Sequence, residues 1–254
     1  MNTETPRVSV IIPAYEAAAY ITKALRSVQA QTVCDWELIV LDDGSKDDTV
    51  QTVAALAQED PRIRLYPNET NMGVAKTRNR GIALCRGRYV AFLDSDDAWY
   101  PEKLQVQLDC LQRTGADLVC SAYAIVDAQG EKICRDYRVP ERIDLPVLLK
   151  ENVIGCSTVM LTGETAKKYR FPEAFYHEDY VLWLEMLRSG CKMAGVDRVL
   201  VDYYFHPDSK AGNKQNSAGT RWQIYRKYLG LSFVKSARYF AHYALAGLRK
   251  YKKV

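Results

Sequence analysis

The segment Tyr89-Val90-Ala91-Phe92-Leu93 leads directly into Asp94-Ser95-Asp96-Asp97, and this stretch decides the fold. Apolar and aromatic residues in an unbroken run predict a short strand that lies inside a sheet. Strands of this kind belong mainly to parallel sheets that are covered by helices on both faces. The carboxylates that follow would then lie at the carboxyl end of the strand, where α/β sheets bind their ligands.

The same alternation of strand and helix occurs upstream of this segment. Three more strands and three helices are predicted there: strands at 8–12, 36–41 and 63–66, and helices at 18–31, 45–56 and 73–84. Ser45 is a suitable N-cap for the second of these helices. Strands that alternate with helices at this spacing predict an α/β fold with helices on both faces of the sheet. Polar residues follow two of these strands, at 13–16 and at 42–43.

The pattern is less regular after residue 100. It predicts helices at 101–112 and 177–190, strands at 118–126, 157–161 and 199–205, and a polar loop at 206–219 that precedes two further helices. Helix and strand signals no longer alternate strictly in this part. The second half therefore adds to the α/β sheet in an order that the pattern alone does not define.

Composition excludes several classes of protein. The seven cysteines are scattered singly and form no Cys-x-x-Cys pair, which argues against a disulfide framework or a zinc ribbon and predicts a reducing compartment. The apolar run at 8–12 is too short for the core of a signal peptide. No segment approaches the roughly 18 consecutive apolar residues of a membrane span. We therefore expect a soluble, cytoplasmic protein.

The acidic triplet Asp94-Ser95-Asp96 has two interpretations. Carboxylates repel a phosphorylated ligand unless a hard divalent ion lies between them, and Mg²⁺ and Mn²⁺ prefer oxygen ligands and bridge to phosphates. The triplet is therefore a candidate site for a metal-bound pyrophosphate. Alternatively, Asp96 and Asp97 simply cap the helix that begins near Pro101.

Four short motifs occur in order along the first half of the chain: Pro13-Ala14-Tyr15-Glu16, Asp42-Asp43-Gly44-Ser45, Asn71-Met72-Gly73 and Phe92-Leu93-Asp94-Ser95-Asp96-Asp97. Together they closely resemble the donor half of the family 2 inverting glycosyltransferases, of the type that builds bacterial cell-surface polysaccharides. The resemblance is dense over residues 7–100 and thinner beyond them. It implies the GT-A fold, in which a Rossmann-like mixed sheet is flanked by helices, here followed by C-terminal helices.

The resemblance also implies a division of the chain. We expect one catalytic domain at 1–215, with a nucleotide-sugar half at 1–100 and an acceptor half at 101–215, followed by a basic helical extension at 216–254. The implied reaction moves one sugar from a nucleotide-diphosphate sugar, and the usual donors of the family favour a UDP-sugar. We expect the acceptor to be a hydroxyl of a saccharide, in particular a lipid-linked one.

Residue roles follow from the positions that match the motifs of the family. The donor nucleotide is expected to contact seven side chains: Pro13, Tyr15, Glu16, Asp42, Arg78, Asp94 and Ser95. Tyr15 is expected to pack on the base, Asp42 to accept a hydrogen bond from it, and Asp94 to contact the ribose. Asp43 is expected to support the loop of Asp42. Asp96 is the implied ligand of a divalent metal, Mn²⁺ or Mg²⁺.

A second candidate site is Glu178-Asp179. The acceptor hydroxyl must lose its proton when it attacks the anomeric carbon, and a carboxylate within hydrogen-bond reach can take that proton. The resemblance assigns this role of general base to Asp179. From the residues alone, both acids also suit the first turn of a helix. Glu178 and Ser157, the latter in the motif Gly155-Cys156-Ser157-Thr158, are expected on the acceptor side.

Two other features refine this expectation. His206 follows a predicted strand where relatives often place a basic or metal-contacting residue, but a lone histidine beside a proline is more often a surface residue. Arg221-Trp222 match part of the Gln-x-x-Arg-Trp motif of processive relatives, whereas Ala218 stands at the glutamine position. We therefore expect transfer of a single sugar rather than polymerisation.

The C-terminal end of the chain is basic. No acidic residue follows Asp208. On a helical wheel of residues 233–253 the basic side chains share one side: Lys235, Arg238, His242, Arg249 and Lys253. Such a helix suits an anionic membrane surface, so we expect peripheral binding at the inner face of the cell membrane. Alternatively, the helix packs on the core with a solvated basic face. Nucleic acid is not expected as a partner, since no recognition motif accompanies these residues.

Two other functions stay open at this point. A sugar nucleotidyltransferase can use a similar sheet, but it would need a glycine-rich phosphate loop after the first strand, and Pro13-Ala14-Tyr15-Glu16 is not one. A catalytically inactive subunit that docks at the membrane is the non-enzymatic alternative. The presence of both Asp96 and Asp179 speaks against it.

Overall fold

The computed structural model describes residues 5–206 and 214–250, with side chains described for 5–206 and 217–247. Its centre is a sheet built from these strands: β1 (Val8–Ala14), β2 (Trp36–Asp42), β3 (Ile63–Pro67), β4 (Tyr89–Phe92), β5 (Ala98–Trp99), β6 (Leu118–Val126), β7 (Arg142–Ile143), β8 (Val159–Thr162) and β9 (Met193–Tyr204). The strands lie in the order β3-β2-β1-β4-β8-β6-β9-β5, and β7 also pairs with β9.

The direction of the strands changes in the second half of the chain. β1 to β4 are parallel to one another, while β8 is antiparallel to both of its neighbours, β4 and β6. β6 and β9 are parallel again, and β5 and β7 are antiparallel to β9. Because β8 is reversed, its first residue lies at the same edge as the last residues of β1, β2 and β4. The mixed sheet predicted from the sequence is confirmed.

Helices cover both faces of this sheet. In chain order they are α1 (Ile21–Gln29), α2 (Thr49–Glu59), α3 (Val74–Leu84), α4 (Lys103–Thr114), α5 (Leu145–Lys150), α6 (Gly163–Lys168) and α7 (Glu178–Arg188). α1, α2 and α4 bury their apolar side chains in one core cluster. α3, α5, α6 and α7 contribute to the other. The sheet is therefore the middle of three layers.

Side chains along β1 explain why there are two core clusters. Val8, Val10 and Ile12 belong to the cluster of α1, α2 and α4, whereas Ile11 belongs to the opposite cluster. All four are fully buried, and burying one large aliphatic side chain contributes about 1.5–3 kcal/mol. A strand that is covered on both faces needs apolar residues at successive positions, which is the pattern read from the sequence.

The start of α2 differs from the prediction. The helix begins at Thr49, and Ser45 does not cap it. The Oγ of Ser45 instead accepts a 2.8 Å hydrogen bond from the backbone N–H of Glu16. Asp47 accepts hydrogen bonds from both the N–H and the hydroxyl of Thr49. The polar residues after β2 therefore connect this loop to the end of β1.

The start of α4 excludes one interpretation of the acidic triplet. The helix begins at Lys103 and is preceded by Glu102, with no side-chain cap. Asp97 is bonded elsewhere, to Ser157 and to the backbone of Tyr204. Helix capping therefore does not explain the acidic residues.

The C-terminal extension packs on the cluster that contains α7. It consists of α8 (Lys214–Gln223), a π-helical turn (Ile224–Tyr228) and α9 (Phe233–Lys250). The guanidinium of Arg221 lies 3.6 Å from the ring centroid of Tyr180 in α7. The ring of Trp222 packs edge-on against Phe240 of α9, with centroids 5.6 Å apart. Arg221 thus connects the extension to the domain, whereas Trp222 connects the two helices of the extension.

Part of the predicted loop at 206–219 is helical, since α8 begins at residue 214. Residues 207–213 lie outside the described residues, as do Lys253 and the side chain of Arg249. In the portion of the chain that the structure covers, no helix combines the length and the apolar character needed to cross a membrane.

Candidate active site

Several segments from both halves of the chain meet at one edge of the sheet. They are the ends of β1, β2, β4 and β9 and the helical turn Cys156–Thr158 that precedes β8. α3 and α7 bring their first turns to the same place, because Arg78 of α3 contacts both Asp94 and Glu178. The structure therefore gathers the candidate residues of the sequence at a single site.

Asp42 is buried, and its two carboxylate oxygens have different surroundings. Oδ2 accepts hydrogen bonds from the backbone N–H groups of Gly44, at 3.2 Å, and Ser45, at 3.1 Å. Oδ1 is also buried but has no hydrogen-bond partner among the described residues. A buried acceptor without a donor costs about 1–3 kcal/mol. A ligand N–H that reached this oxygen would remove that cost.

Asp43 holds the loop that follows β3. Its Oδ1 accepts hydrogen bonds from Nδ2 of Asn68, at 2.7 Å, and from the N–H of Met72, at 2.8 Å. Its Oδ2 accepts a 2.8 Å hydrogen bond from the N–H of Gly73. The two neighbouring acids thus have separate tasks. Asp43 holds the neighbouring loop, and Asp42 has one oxygen without a partner among the described residues.

Two residues in the loops beside Asp42 have positive φ angles. Gly44 has a φ of +79°, and a Cβ there would lie 2.9 Å from the backbone N of Asn71. Glu16 is a non-glycine residue with a φ of +48°, a conformation that costs about 1–3 kcal/mol and clusters at functional sites. Tyr15, just before it, is 47% exposed. Its ring can therefore stack on a planar ligand.

Arg78 joins the two acidic segments of the site. It is 4% exposed, and its Nη2 donates a 2.5 Å hydrogen bond to Oδ1 of Asp94. Its Nη1 donates a 2.8 Å hydrogen bond to Oε1 of Glu178. The side chain of Asp94 remains 32% exposed, so it can still reach a ligand. The sequence placed Arg78 at the nucleotide, and the structure shows both terminal nitrogens engaged with carboxylates.

Asp97 anchors the acidic segment from inside the protein. It is almost completely buried, and its Oδ1 accepts a 3.2 Å hydrogen bond from the N–H of Tyr204 at the end of β9. Burial, together with the charge of Asp96, raises the pKa of Asp97 well above its ordinary value. The resemblance assigned no site role to Asp97. Its contacts with Tyr204 and Ser157 join three segments that are distant along the chain.

Asp96 and His206 face each other across a short gap. Oδ2 of Asp96 lies 3.8 Å from Nε2 of His206, which is too far for a hydrogen bond. That nitrogen is buried and has no hydrogen-bond partner within the described part of the chain. The ring of Tyr20 packs on His206, with centroids 4.7 Å apart. From the sequence His206 is a weak candidate as a metal ligand, whereas the structure brings it beside the predicted ligand Asp96.

The pair has the chemistry of a partial metal site. A carboxylate oxygen and an imidazole nitrogen are both suitable ligands for a divalent ion such as Mn²⁺. Burial and the charge of Asp94 raise the pKa of Asp96 to about 6, and a cation beside it would oppose that rise. The described residues contain no group of three or more His, Cys, Asp or Glu that could hold an ion. Phosphate oxygens of a ligand would have to complete the coordination.

Asp179 lies in the first turn of α7, next to the ion pair of Arg78 and Glu178. Its Oδ1 accepts a 2.7 Å hydrogen bond from the N–H of Tyr180. Burial and then the charge of Glu178 raise the pKa of Asp179 to about 6, while Arg78 acts in the opposite direction. A carboxylate whose pKa lies near the working pH is well suited to accept a proton. The helix-start and general-base interpretations are therefore compatible.

The model of glycosyl transferase family 2 matches residues 9–166, and the chain belongs to that family. It is 33% identical over 250 residues to TuaG of Bacillus subtilis (strain 168), named for teichuronic acid biosynthesis, with 98% of this chain and 99% of that protein covered. It is 32% identical over 246 residues to WfgD of Escherichia coli, named as a UDP-Glc:alpha-D-GlcNAc-diphosphoundecaprenol beta-1,3-glucosyltransferase, with 96% and 94% covered.

Solved structures share the fold. TarS 1–349 of S. aureus in complex with UDP-GlcNAc superposes with a TM-score of 0.72 at 19% identity, over 94% of this chain and 71% of that one. The mannosyltransferase PcManGT from Pyrobaculum calidifontis, in complex with GDP-Man and Mn²⁺, gives a TM-score of 0.71 at 17% identity, over 94% and 70%. The GT-A fold expected from the motifs is confirmed.

Proposed function

We propose that this glycosyltransferase moves one sugar from a UDP-sugar to a hydroxyl of a lipid-linked saccharide during the synthesis of a cell-surface polysaccharide. The proposal rests on the contacts that run from Asp94 through Arg78 to Glu178, because they bring the donor edge of the sheet beside Asp179. The names of WfgD and TuaG support this class of substrate, since both proteins match nearly the whole chain.

The donor pocket is proposed to recognise uracil. Uracil presents an N–H donor between two carbonyl groups, and the buried Oδ1 of Asp42 is an acceptor that needs such a donor. The exposed ring of Tyr15 would stack on the base. Pro13 and Glu16, at the end of β1, would line the same pocket. These contacts favour a pyrimidine nucleotide as the donor.

The sugar-phosphate part of the donor is proposed to lie along the acidic segment. Asp94 would accept a hydrogen bond from the ribose, and Ser95 would face the diphosphate. Asp96 and His206 would hold Mn²⁺ or Mg²⁺, which suits their oxygen and nitrogen atoms. When bound, such an ion supplies positive charge that stabilises the departing diphosphate.

Asp179 is proposed to act as the general base. Its carboxylate takes the proton of the acceptor hydroxyl while the acceptor oxygen forms a bond to the anomeric carbon. The bond from that carbon to the diphosphate oxygen breaks on the opposite face, and UDP leaves with the electron pair, so the configuration inverts. Glu178 stays paired with Arg78 and keeps a negative charge beside the base. General-base catalysis of this kind contributes roughly 10²–10⁴-fold to the rate.

The outward side of α9 is proposed to bind the membrane. One side of this helix packs on the protein, through side chains that are buried or half-buried: Ser236, Tyr239, Phe240 and Tyr243. The opposite side is exposed and combines apolar with basic residues: Val234, Lys235, Arg238, His242 and Leu245. Such a surface fits an anionic lipid layer. A peripheral position at the inner face of the cell membrane would bring the enzyme to a lipid-linked acceptor.

A donor panel tests the proposed reaction. The purified protein is incubated with UDP-, dTDP- and GDP-sugars and a polyprenyl-diphosphate saccharide, and release of nucleoside diphosphate is measured with Mn²⁺, with Mg²⁺ and with EDTA. We expect UDP release that EDTA abolishes and that Asp96→Ala loses, while Asp48→Ala, an exposed acid of the neighbouring loop, stays active. Formation of UTP and a sugar 1-phosphate when pyrophosphate is added, with no release of UDP, would identify a nucleotidyltransferase. Equal activity with EDTA and in Asp96→Ala would refute the metal-dependent mechanism.

A further inference from the structure

Arg78 is a buried cation that is shared by two carboxylates from different parts of the chain. It lies 16 residues before Asp94 and 100 residues before Glu178, and it donates one hydrogen bond to each. The ring of Phe171 lies beneath its guanidinium, 5.2 Å from centroid to Cζ. An arginine stays charged even when it is buried, and the carboxylates offset the cost of burying that charge. Its position is therefore fixed by both acids at once.

The two acids belong to the two sides of the reaction. Asp94 directly follows the donor strand β4, whereas Glu178 is the first residue of α7 and the neighbour of Asp179. We infer that Arg78 is a positioning residue that sets the distance between the bound donor and the base-bearing end of α7. The inference rests on the proposed function, because it assumes that Asp94 holds the donor and that Asp179 takes the proton.

The geometry requires an arginine. A guanidinium presents several N–H donors in a rigid plane, so two carboxylates can be held at a fixed separation. A lysine ammonium carries the same charge on a single atom and cannot reproduce that fork. Lysine at position 78 would therefore keep the charge of the site but loosen the connection between its two sides. Variants at position 78 can therefore distinguish the effect of the positive charge from the effect of the guanidinium geometry.

Arg78 also opposes the negative charge around the base. Among the described residues, the titratable or charged groups that act on Asp179 include Arg78 from α3, Asp94 after β4, Cys156 from the turn before β8, and Glu178 from α7 itself. Arg78 is the cation of this set. Removing its charge should make Asp179 harder to ionise, whereas neutralising Glu178 should make it easier. The two changes therefore shift the pH dependence of the reaction in opposite directions.

Four variants of the full chain test this inference: Arg78→Lys, Arg78→Met, Glu178→Gln and Lys76→Met. Lys76 is an exposed cation of the same helix and serves as the matched control. Donor KM, kcat between pH 5 and 9, and UDP affinity by calorimetry are measured for each. We expect Arg78→Lys to lose on the order of 10- to 100-fold in kcat, as misplaced reacting groups do. The UDP affinity of Arg78→Lys should match that of the wild type, and so should its acid limb, the pH range over which kcat rises. All measured parameters of Lys76→Met should match those of the wild type.

Arg78→Met and Glu178→Gln test how the charges beside Asp179 affect its ionisation. The acid limb should move up by about one pH unit or more in Arg78→Met and move down in Glu178→Gln. If Arg78→Met does not fold, Glu178→Gln reports on the same electrostatic link with a side chain of nearly equal shape. If the wild type is active and Arg78→Lys has the same kcat, the inference is overturned while the proposed function stands. The same holds if the acid limb moves in neither Arg78→Met nor Glu178→Gln. A wild type that releases no UDP from any donor would instead overturn the proposed function.

Discussion

The hydroxyl of Ser157 donates a 2.5 Å hydrogen bond to Oδ2 of Asp97. The Oγ of Ser157 also accepts a 3.0 Å hydrogen bond from the backbone N–H of Asp94. One side chain in the turn before β8 therefore holds both ends of the acidic segment that follows β4. The sequence suggested that Ser157 contacts the acceptor. Because the side chain is 4% exposed and its hydrogen bonds lie inside the protein, we propose that it positions the acidic segment instead.

Ser157→Ala should therefore weaken both the fold and donor binding. Oδ2 of Asp97 loses its buried donor, which costs about 1–3 kcal/mol in the free energy of unfolding. The acidic segment also loses a fixed point, so the donor KM should rise. Ser121→Ala is the matched control, since Ser121 is equally buried but its Oγ has no hydrogen-bond partner among the described residues. Urea denaturation and donor kinetics measure both effects. Equal results for the two variants would contradict the role of Ser157.

Asp179→Asn should abolish most of the activity without affecting donor binding. The amide cannot take a proton from the acceptor, so kcat should fall roughly 10²–10⁴-fold, while UDP affinity by calorimetry should stay unchanged. Glu185→Gln changes an exposed acid of the same helix and should behave like the wild type. A variant Asp179→Asn with more than a tenth of the wild-type kcat would assign the proton transfer to another group.

The pH dependence of the reaction should follow Asp179. The residue must be ionised to accept a proton, and its pKa is about 6. The kcat should therefore be low at pH 5, rise through pH 6 and level off above it. The profile is measured with a saturating donor, and the group is identified by repeating it in Glu178→Gln. A rate that is flat from pH 5 to 8 would contradict the raised pKa.

The same pKa predicts a change in stability with pH. In the folded protein the pKa of Asp179 is raised to about 6 from its ordinary value of 3.8, so the folded state binds the proton more tightly than the unfolded state does. Ionisation therefore lowers the stability as the pH rises through this interval. Asp179→Asn lacks this cost, so its Tm should exceed that of the wild type at pH 8, and the gap should close near pH 4. Calorimetric scans at pH 4 and pH 8 measure the difference in Tm between Asp179→Asn and the wild type. An equal difference at both pH values would refute the prediction.

Two glycines with positive φ should respond differently to alanine. At Gly44 an added Cβ meets the backbone of Asn71 at 2.9 Å, whereas at Gly115 nothing lies within 4 Å. Gly115→Ala should cost about 1 kcal/mol, the usual cost of a left-handed alanine. Gly44→Ala should cost more and should also weaken UDP binding, because the loop that holds Asp42 must move. Denaturation and UDP titration compare the variants. Similar losses in both would show that the contact with Asn71 is unimportant.

The membrane surface of α9 is best tested by point variants. Removing residues 232–254 would also remove Tyr239 and Phe240, which pack on the protein. We expect Val234→Ser with Leu245→Ser, and separately Lys235→Glu with Arg238→Glu, to reduce recovery with anionic phosphatidylglycerol vesicles. Their Tm should be that of the wild type, because these side chains are exposed. Binding should fall with added salt and should persist in Lys76→Glu. Full recovery of both double variants with the vesicles would exclude this face as the binding surface.

Local signals made the donor half predictable. Each of its strands is a short apolar run that ends in a polar motif, and parallel strands bring such ends together at one edge. The positions of Asp42, Asp94 and Asp96 at that edge therefore follow from the order of the motifs. Asp43 was expected to support the loop of Asp42, whereas its side chain holds the loop at 68–73.

Long-range contacts limited the prediction of the rest. Arg78 finds a partner 100 residues away because α7 docks beside α3, and no local pattern encodes that distance. Ser157 meets Asp97 only because β8 is reversed in the sheet. His206 resembled a surface residue in the sequence, yet the end of β9 carries it to Asp96. In each case the order of the strands in the sheet determines which residues come into contact. The pattern in the second half of the sequence does not reveal that order.

That order also determines how acceptor specificity can be exchanged between relatives. β8, β6 and β9 lie between β4 and β5, and both of these flanking strands come from the first hundred residues. The part that we propose to bind the acceptor is thus an insert with two seams, β4 with β8 and β5 with β9. A chimera that borrows the acceptor part of another family member must fit both seams at once. Successful exchanges, natural or engineered, should therefore replace residues 101–205 as one cassette.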